Sequence, residues 1–226
     1  MPTDALMDSL ARVATYLVPG VFAITVHEVA HGWVAKQCGD MTAARAGRLT
    51  LNPIRHIDPI GTVIVPLACV LFLGLPFGWA KPVPVVAANL RNPRRDMVFV
   101  AAGGPGSNFL MALIWAGVIA FLIYVVPYGG GGEWLYQMAR AGIMFNVALG
   151  LFNLLPIPPL DGGRVLREVV PRSAASVLDR IEPIGMLLII GLIVLEYYTP
   201  VKVLSAVLLP FMDATVLFFL DIAGVR

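Results

Sequence analysis

The sequence predicts an all-α polytopic membrane protein, and three observations predict it. Of 226 residues, 58% are hydrophobic and 13% charged, whereas soluble domains carry about 25% charged residues. The mean hydropathy is +0.83, and the charge-free runs are long enough to cross a hydrocarbon layer of about 30 Å as helices. The Lys and Arg residues gather in loops beside those runs. A net charge of +2 distributed in this way sets membrane orientation and excludes a nucleic-acid partner. Cys38 and Cys69 are too few for a disulfide framework or a four-cysteine metal site. The longest charged stretches leave no room for an appended soluble domain, so a single membrane domain over 1–226 is expected.

The first apolar segment covers 12–36. Met1 to Ala11 carries Asp4 and Asp8 and no basic residue, the wrong flank for a signal peptide, so the segment is expected to stay in the mature chain. The second run, between Asp58 and Lys81, is broken by Pro66 and Pro76 and loosened by Gly74 and Gly78. Trp79 to Val85 reads as extended chain, because residues before proline are driven toward β or polyproline geometry. A re-entrant loop or short β-hairpin over 59–88 follows, with a tilted spanning helix as the alternative. Two core helices are expected at 97–127 and 134–157, an aspartate loop with a cytoplasmic helix at 158–182, and two C-terminal membrane segments at 183–222. If the second run returns to its own side, the basic loops 36–58, 77–96 and 158–182 all face the cytoplasm, and the uncharged Gly129 to Gly132 turn lies outside.

The chemistry begins with His27-Glu28-Val29-Ala30-His31. A helix puts His27 and His31 on one face about 6 Å apart, the spacing at which two imidazoles bind one zinc. Glu28 lies about 100° round the helix, beside the metal, where a glutamate can act as general base. Zinc lowers the pKa of a water it holds to about 7. Two of the three histidines fall in this one motif, and ionisable groups inside a membrane segment are functional candidates by default.

A catalytic zinc needs a third protein ligand. Gln37 stands where a metzincin has its third histidine, which leaves His56, Asp40, Asp58 and Asp161. Asp161 stands apart. Pro156, Pro158 and Pro159 stop the helix just before it, and irregular backbone at membrane depth must face protein or a water-filled cavity. The out-and-back path of the two core helices also returns it to the side of His27 and His31. The alternative is an aspartate that caps the following helix.

At these residues the sequence resembles the site-2 protease family of intramembrane zinc metalloproteases. The likeness covers most of 18–170 and rests on HEVAH and on the Asn153 to Arg164 stretch ending in LDGG. Gly104 to Asn108 is similar to the family's small-residue helix motif, and Gly47 to Pro53 with His56 to Pro59 resembles a compact bacterial branch without PDZ or CBS modules. The resemblance implies a three-helix core, zinc (Zn2+) held by His27, His31 and Asp161, and Glu28 as base. It also implies a location in a bacterial inner membrane and a transmembrane protein substrate that unwinds before cleavage, such as an anti-sigma factor or a remnant signal peptide.

Peptide hydrolysis needs a donor for the developing oxyanion. Asn153 is the first candidate and Asn108 the second. Gly78, Trp79, Ala80, Lys81, Pro82 and Val83 could offer an edge to an unwound substrate, against an inert turn whose prolines remove donors. His56 is assigned to loop structure, Arg91, Arg94 and Arg95 to contact with anionic lipid headgroups, and Asp213 to pairing or a cavity. Tyr197 to Pro200 suggests a movable hairpin between the last two segments. A zinc transporter and a catalytically silent scaffold are the competing functions.

Overall fold

The computed structural model describes residues 2–74, 78–126 and 132–225, with side chains described from residue 13 onward except residue 73. Pro76, the first residue of the expected 77–96 loop, the last of the 97–127 helix and Gly129 to Gly131 of the expected outer turn lie outside the described residues.

The protein is all-α. Helix α1 (Pro2–Gln37) carries the HEVAH motif, and a short turn of helix, α2 (Thr42–Arg45), follows it. The apolar run after Asp58 opens as a π-helix at Pro59–Ile64 and continues as α3 (Val65–Leu73). Helix α4 (Pro93–Val125) begins on a proline, whose missing N–H costs nothing in a first turn. Then come α5 (Glu133–Asn153), α6 (Asp161–Val169), α7 (Arg172–Tyr198) and α8 (Val203–Ile222). Among the described residues, three stretches are long and apolar enough to cross a membrane: Val13–Gln37, Pro93–Val125 and Val203–Ile222.

Helices α1, α4 and α5 pack on one another pairwise, and α8 closes against α4 and α5. Ala112, Ala116, Ile119, Ala139, Ile143, Val147, Phe219 and Ala223 form the buried seam. Small side chains let the backbones approach, which is how helices associate where lipid is as apolar as leucine. At Gly142 the Trp115 ring lies where a Cβ would stand, 2.5 Å away.

The expected interruption at Pro66 does not occur. Pro66 falls at the start of α3, directly after the π-helix, and the helical run passes through it. The chain then comes back to where it entered: Trp79 N–H donates to Gly61 O at 3.0 Å and Lys81 N–H to His56 O at 2.9 Å. The hairpin alternative is corrected. Among the described residues there is no β-strand; 78–86 is extended but forms no ladder, since Pro82 and Pro84 have no N–H and the neighbouring amides go to other acceptors.

Candidate metal centre

His27 and His31 stand one turn apart on α1, with ring centroids 4.6 Å apart and planes at 87°. Both are buried, and their Nε2 atoms lie 3.0 Å from each other. Asp161, the first residue of α6, brings Oδ2 to 3.1 Å from His27 Nε2 and 3.2 Å from His31 Nε2. Three potential ligand atoms thus form a nearly equilateral triangle in a buried place.

The protons decide what that triangle is. His27 Nδ1 is 2.7 Å from Asn108 Oδ1, and His31 Nδ1 is 2.7 Å from the carbonyl oxygen of Val100. The Asn108 amide is oriented by its own network: Nδ2 donates to Ala23 O at 3.2 Å and to Asn146 Oδ1 at 3.0 Å, and Asn146 Nδ2 donates to Gly142 O at 2.8 Å. Both Nδ1 atoms therefore carry hydrogen, and both Nε2 lone pairs point at a carboxylate oxygen that has no hydrogen-bond partner of its own. Acceptors that converge without a donor call for a cation. A tetrahedral zinc with bonds of about 2.0–2.1 Å sets its ligands about 3.3 Å apart, close to the edges found. Partners on the far nitrogens, a side-chain amide and a backbone carbonyl, are the usual support of metal-binding histidines.

Glycines make the space. A Cβ on Gly104 would stand 2.4 Å from His31 Nε2 and 2.6 Å from His27 Cε1, so only glycine lets α4 pass under both rings. Gly162 and Gly163 press against the proline loop, where a Cβ would meet Leu154 O at 2.2 Å and Pro158 N at 2.4 Å. That approach sets the start of α6, and with it Asp161.

Glu28 is half-buried beside His27. Its Oε2 accepts the Val83 N–H at 2.8 Å, which puts the 78–83 segment against the motif helix. The Trp79, Lys81 and Val83 amides are all given to protein acceptors.

Asn108 also differs from expectation. It is fully buried and both its N–H groups are committed, so it orients His27 and has no donor left for an oxyanion. Asn153 folds one N–H back onto Leu149 O at 3.0 Å within its own helix. The other candidate ligands lie elsewhere: His56 Nε2 meets Thr50 O at 2.9 Å, Asp58 caps the Ile60 and Gly61 amides, and Asp40 holds the Thr42 and Val86 amides and the Asn89 side chain. Asn146 was missed from the sequence; an asparagine in the middle of an apolar helix was the available signal.

Fold and site define a class: a multi-pass membrane protein with a buried centre of two histidines and one carboxylate fit for zinc. Residues 131–195 match the model of Peptidase family M50. The "Putative zinc metalloprotease YwhC" of Bacillus subtilis is 38% identical over 201 residues, 86% of this chain and 84% of that protein. The "Putative zinc metalloprotease Rip2" of Mycolicibacterium smegmatis is 27% identical over 180 residues, 77% of this chain and 64% of that one. "Zinc metalloprotease MJ0392" of Methanocaldococcus jannaschii is 24% identical over 151 residues, 67% of this chain and 33% of its own length. No solved structure matches. The chain belongs to peptidase family M50, the site-2 proteases, and is a zinc-dependent membrane metalloendopeptidase.

Proposed function

We propose that this chain hydrolyses a peptide bond in or near the transmembrane helix of a membrane-protein substrate, as a step of regulated intramembrane proteolysis in a bacterial plasma membrane. His27, His31 and Asp161 hold the zinc and Glu28 is the general base. The loops 36–58, 77–96 and 158–182 face the cytoplasm. The observation that carries this reading is the buried Nε2, Nε2, Oδ2 triangle, with edges of 3.0 to 3.2 Å and Glu28 next to it in the chain.

When bound, zinc supplies Lewis-acid polarisation and makes water nucleophilic near neutral pH. The protein's own groups do the rest. Asn108 and the Val100 carbonyl keep both imidazoles in the tautomer whose Nε2 is free. The Val83 amide orients Glu28 through Oε2, and Oε1 has no partner among the described residues, so it is available to take a proton. Burial of the three ligands keeps bulk water away from the metal face.

An unwound substrate needs a backbone partner. In an extended chain successive residues face opposite ways; with 79, 81 and 83 turned to the protein, Ala80, Pro82 and Pro84 leave an outer edge of carbonyls and a single N–H. A substrate strand would therefore donate to this edge more than accept from it. Asn153 remains the oxyanion candidate, with one N–H uncommitted by the bond to Leu149. Candidate substrates are single-span regulators such as an anti-sigma factor, and remnant signal peptides.

A Glu28→Gln variant tests the reading. It should keep its zinc and cleave a single-span reporter at least about 100-fold more slowly, the scale of general-base catalysis. Unchanged cleavage by this variant would remove Glu28 from the chemistry.

A further inference from the structure

The stretch from Lys81 to Val86 runs across the motif helix with no strand beside it, yet its backbone is gripped at three places. Arg48 Nη2 donates to Lys81 O at 2.7 Å, Val83 N–H donates to Glu28 Oε2 at 2.8 Å, and Val86 N–H donates to Asp40 Oδ2 at 2.7 Å. The Val83 side chain packs at Gly32, where a Cβ would come within 2.8 Å of Val83 Cγ1. Arg48 and Asp40 belong to the turn that follows α1, and that turn is fixed by Asp40 N–H to Ala35 O at 2.9 Å and Arg48 N–H to Ala43 O at 3.0 Å.

Arg48 is unusual among these anchors. It is 8% exposed, its Nε has no hydrogen-bond partner, and among the described residues no carboxylate lies within ion-pair distance of it. Burying a guanidinium against one neutral acceptor is unfavourable for stability. Its one side-chain hydrogen bond among the described residues is also close to the chemistry. The peptide planes carrying Lys81 O and Val83 N–H are separated only by the φ and ψ of Pro82, and φ is locked by the ring. Fixing the carbonyl therefore leaves one soft torsion between Arg48 and the amide that holds Glu28.

We propose that Arg48 is a positioning residue for Glu28: by gripping Lys81 O it aims the Val83 N–H that orients the base. This rests on Glu28 having the role given it above. Asp40 sets the other end of the strap, and Arg48 sets the end nearer the base.

The test uses the full-length, zinc-loaded protein in detergent with a single-span reporter polypeptide. Arg48→Ala should lower kcat by about 100-fold, the cost of a misplacement of about 1 Å, with KM and zinc content unchanged. Arg48→Lys should recover most of the rate, since the contact uses one N–H. Val83→Pro deletes the donor and should match Arg48→Ala, and the double variant should be no slower than either single variant, because both remove one interaction. Hydrogen exchange at the Val83 amide supplies a readout independent of cleavage: slow in the wild type, fast in Arg48→Ala and slow again in Arg48→Lys. Unchanged exchange in Arg48→Ala, loss of zinc, a raised KM at constant kcat, or additive losses in the double variant would overturn the proposal. A wild type that binds zinc and cleaves nothing would count against the proposed function alone, and the exchange experiment would still decide whether Arg48 holds Val83.

Discussion

The two sides of the metal centre are built differently. On the ligand side every group is buried and held from behind: His27 by Asn108, which Asn146 and Ala23 orient; His31 by the Val100 carbonyl; Asp161 by the glycines that seat α6 on the proline loop. On the base side Glu28 is half-buried and is held by one backbone amide from a strap outside the helical core. In the proposed site the two histidines and Asp161 are thus backed by packed helices, and the proposed base is held by a loop. Damage to the first side should remove zinc and activity together, whereas damage to the second should reduce rate and leave zinc in place.

Gly104→Val should break that contrast most severely. Its side chain would occupy the space of the His31 ring, and both zinc and cleavage should be lost by elemental analysis and reporter assay, with the helical circular dichroism retained. Glu28→Gln comes next and falls on the other side of the comparison, with zinc retained and the rate lost. A smaller effect is expected from Asn108→Ala. Removing the partner of His27 should weaken zinc binding by about 10–100-fold in a chelator competition, the usual cost of losing such support. Asn146→Ala should weaken it less, since Asn146 acts only through Asn108.

The smallest expected effect concerns the far anchor of the strap. Burial alone would raise the pKa of Asp40, but donors from Thr42, Val86 and Asn89 outweigh it and hold the carboxyl at about 2, below its usual 3.8. A depressed folded-state pKa stabilises at pH values above the unfolded one, and that contribution is lost as pH falls from about 4 through about 2. The thermal midpoint of the detergent-solubilised protein should drop over this window, and Asp40→Asn should flatten the drop while lowering the midpoint at pH 7. An identical pH profile in the variant would show that Asp40 contributes nothing to the anchor.

The ligand side was largely legible in the sequence because its chemistry is written in residue types. Two histidines at helical spacing, an aspartate after three prolines and a glycine cluster in an apolar helix are each visible in the letters. The base side was not, because its decisive contact is a backbone amide, and Val83 N–H is no different in the sequence from any other. The Val100 carbonyl escaped for the same reason. Arg48 was read only as part of the Gly47 to Pro53 stretch and Asp40 only as one candidate metal ligand, and nothing in their spacing reveals that both are buried. Asn108 was found as a candidate, but the sequence cannot show that its donors are used by partners 38 and 85 positions away. Pro66 was weighed as a helix breaker, yet the run from the π-helix into α3 continues through it.

The central claim is that Asp161 completes a zinc site with His27 and His31. The most direct measurement is the zinc content of the detergent-purified protein, wild type beside Asp161→Ala, with reporter cleavage followed on the same samples. About one zinc per chain in the wild type, lost together with cleavage in the variant, is the predicted result. Zinc retained at full occupancy in Asp161→Ala would contradict it and transfer the third ligand to another residue.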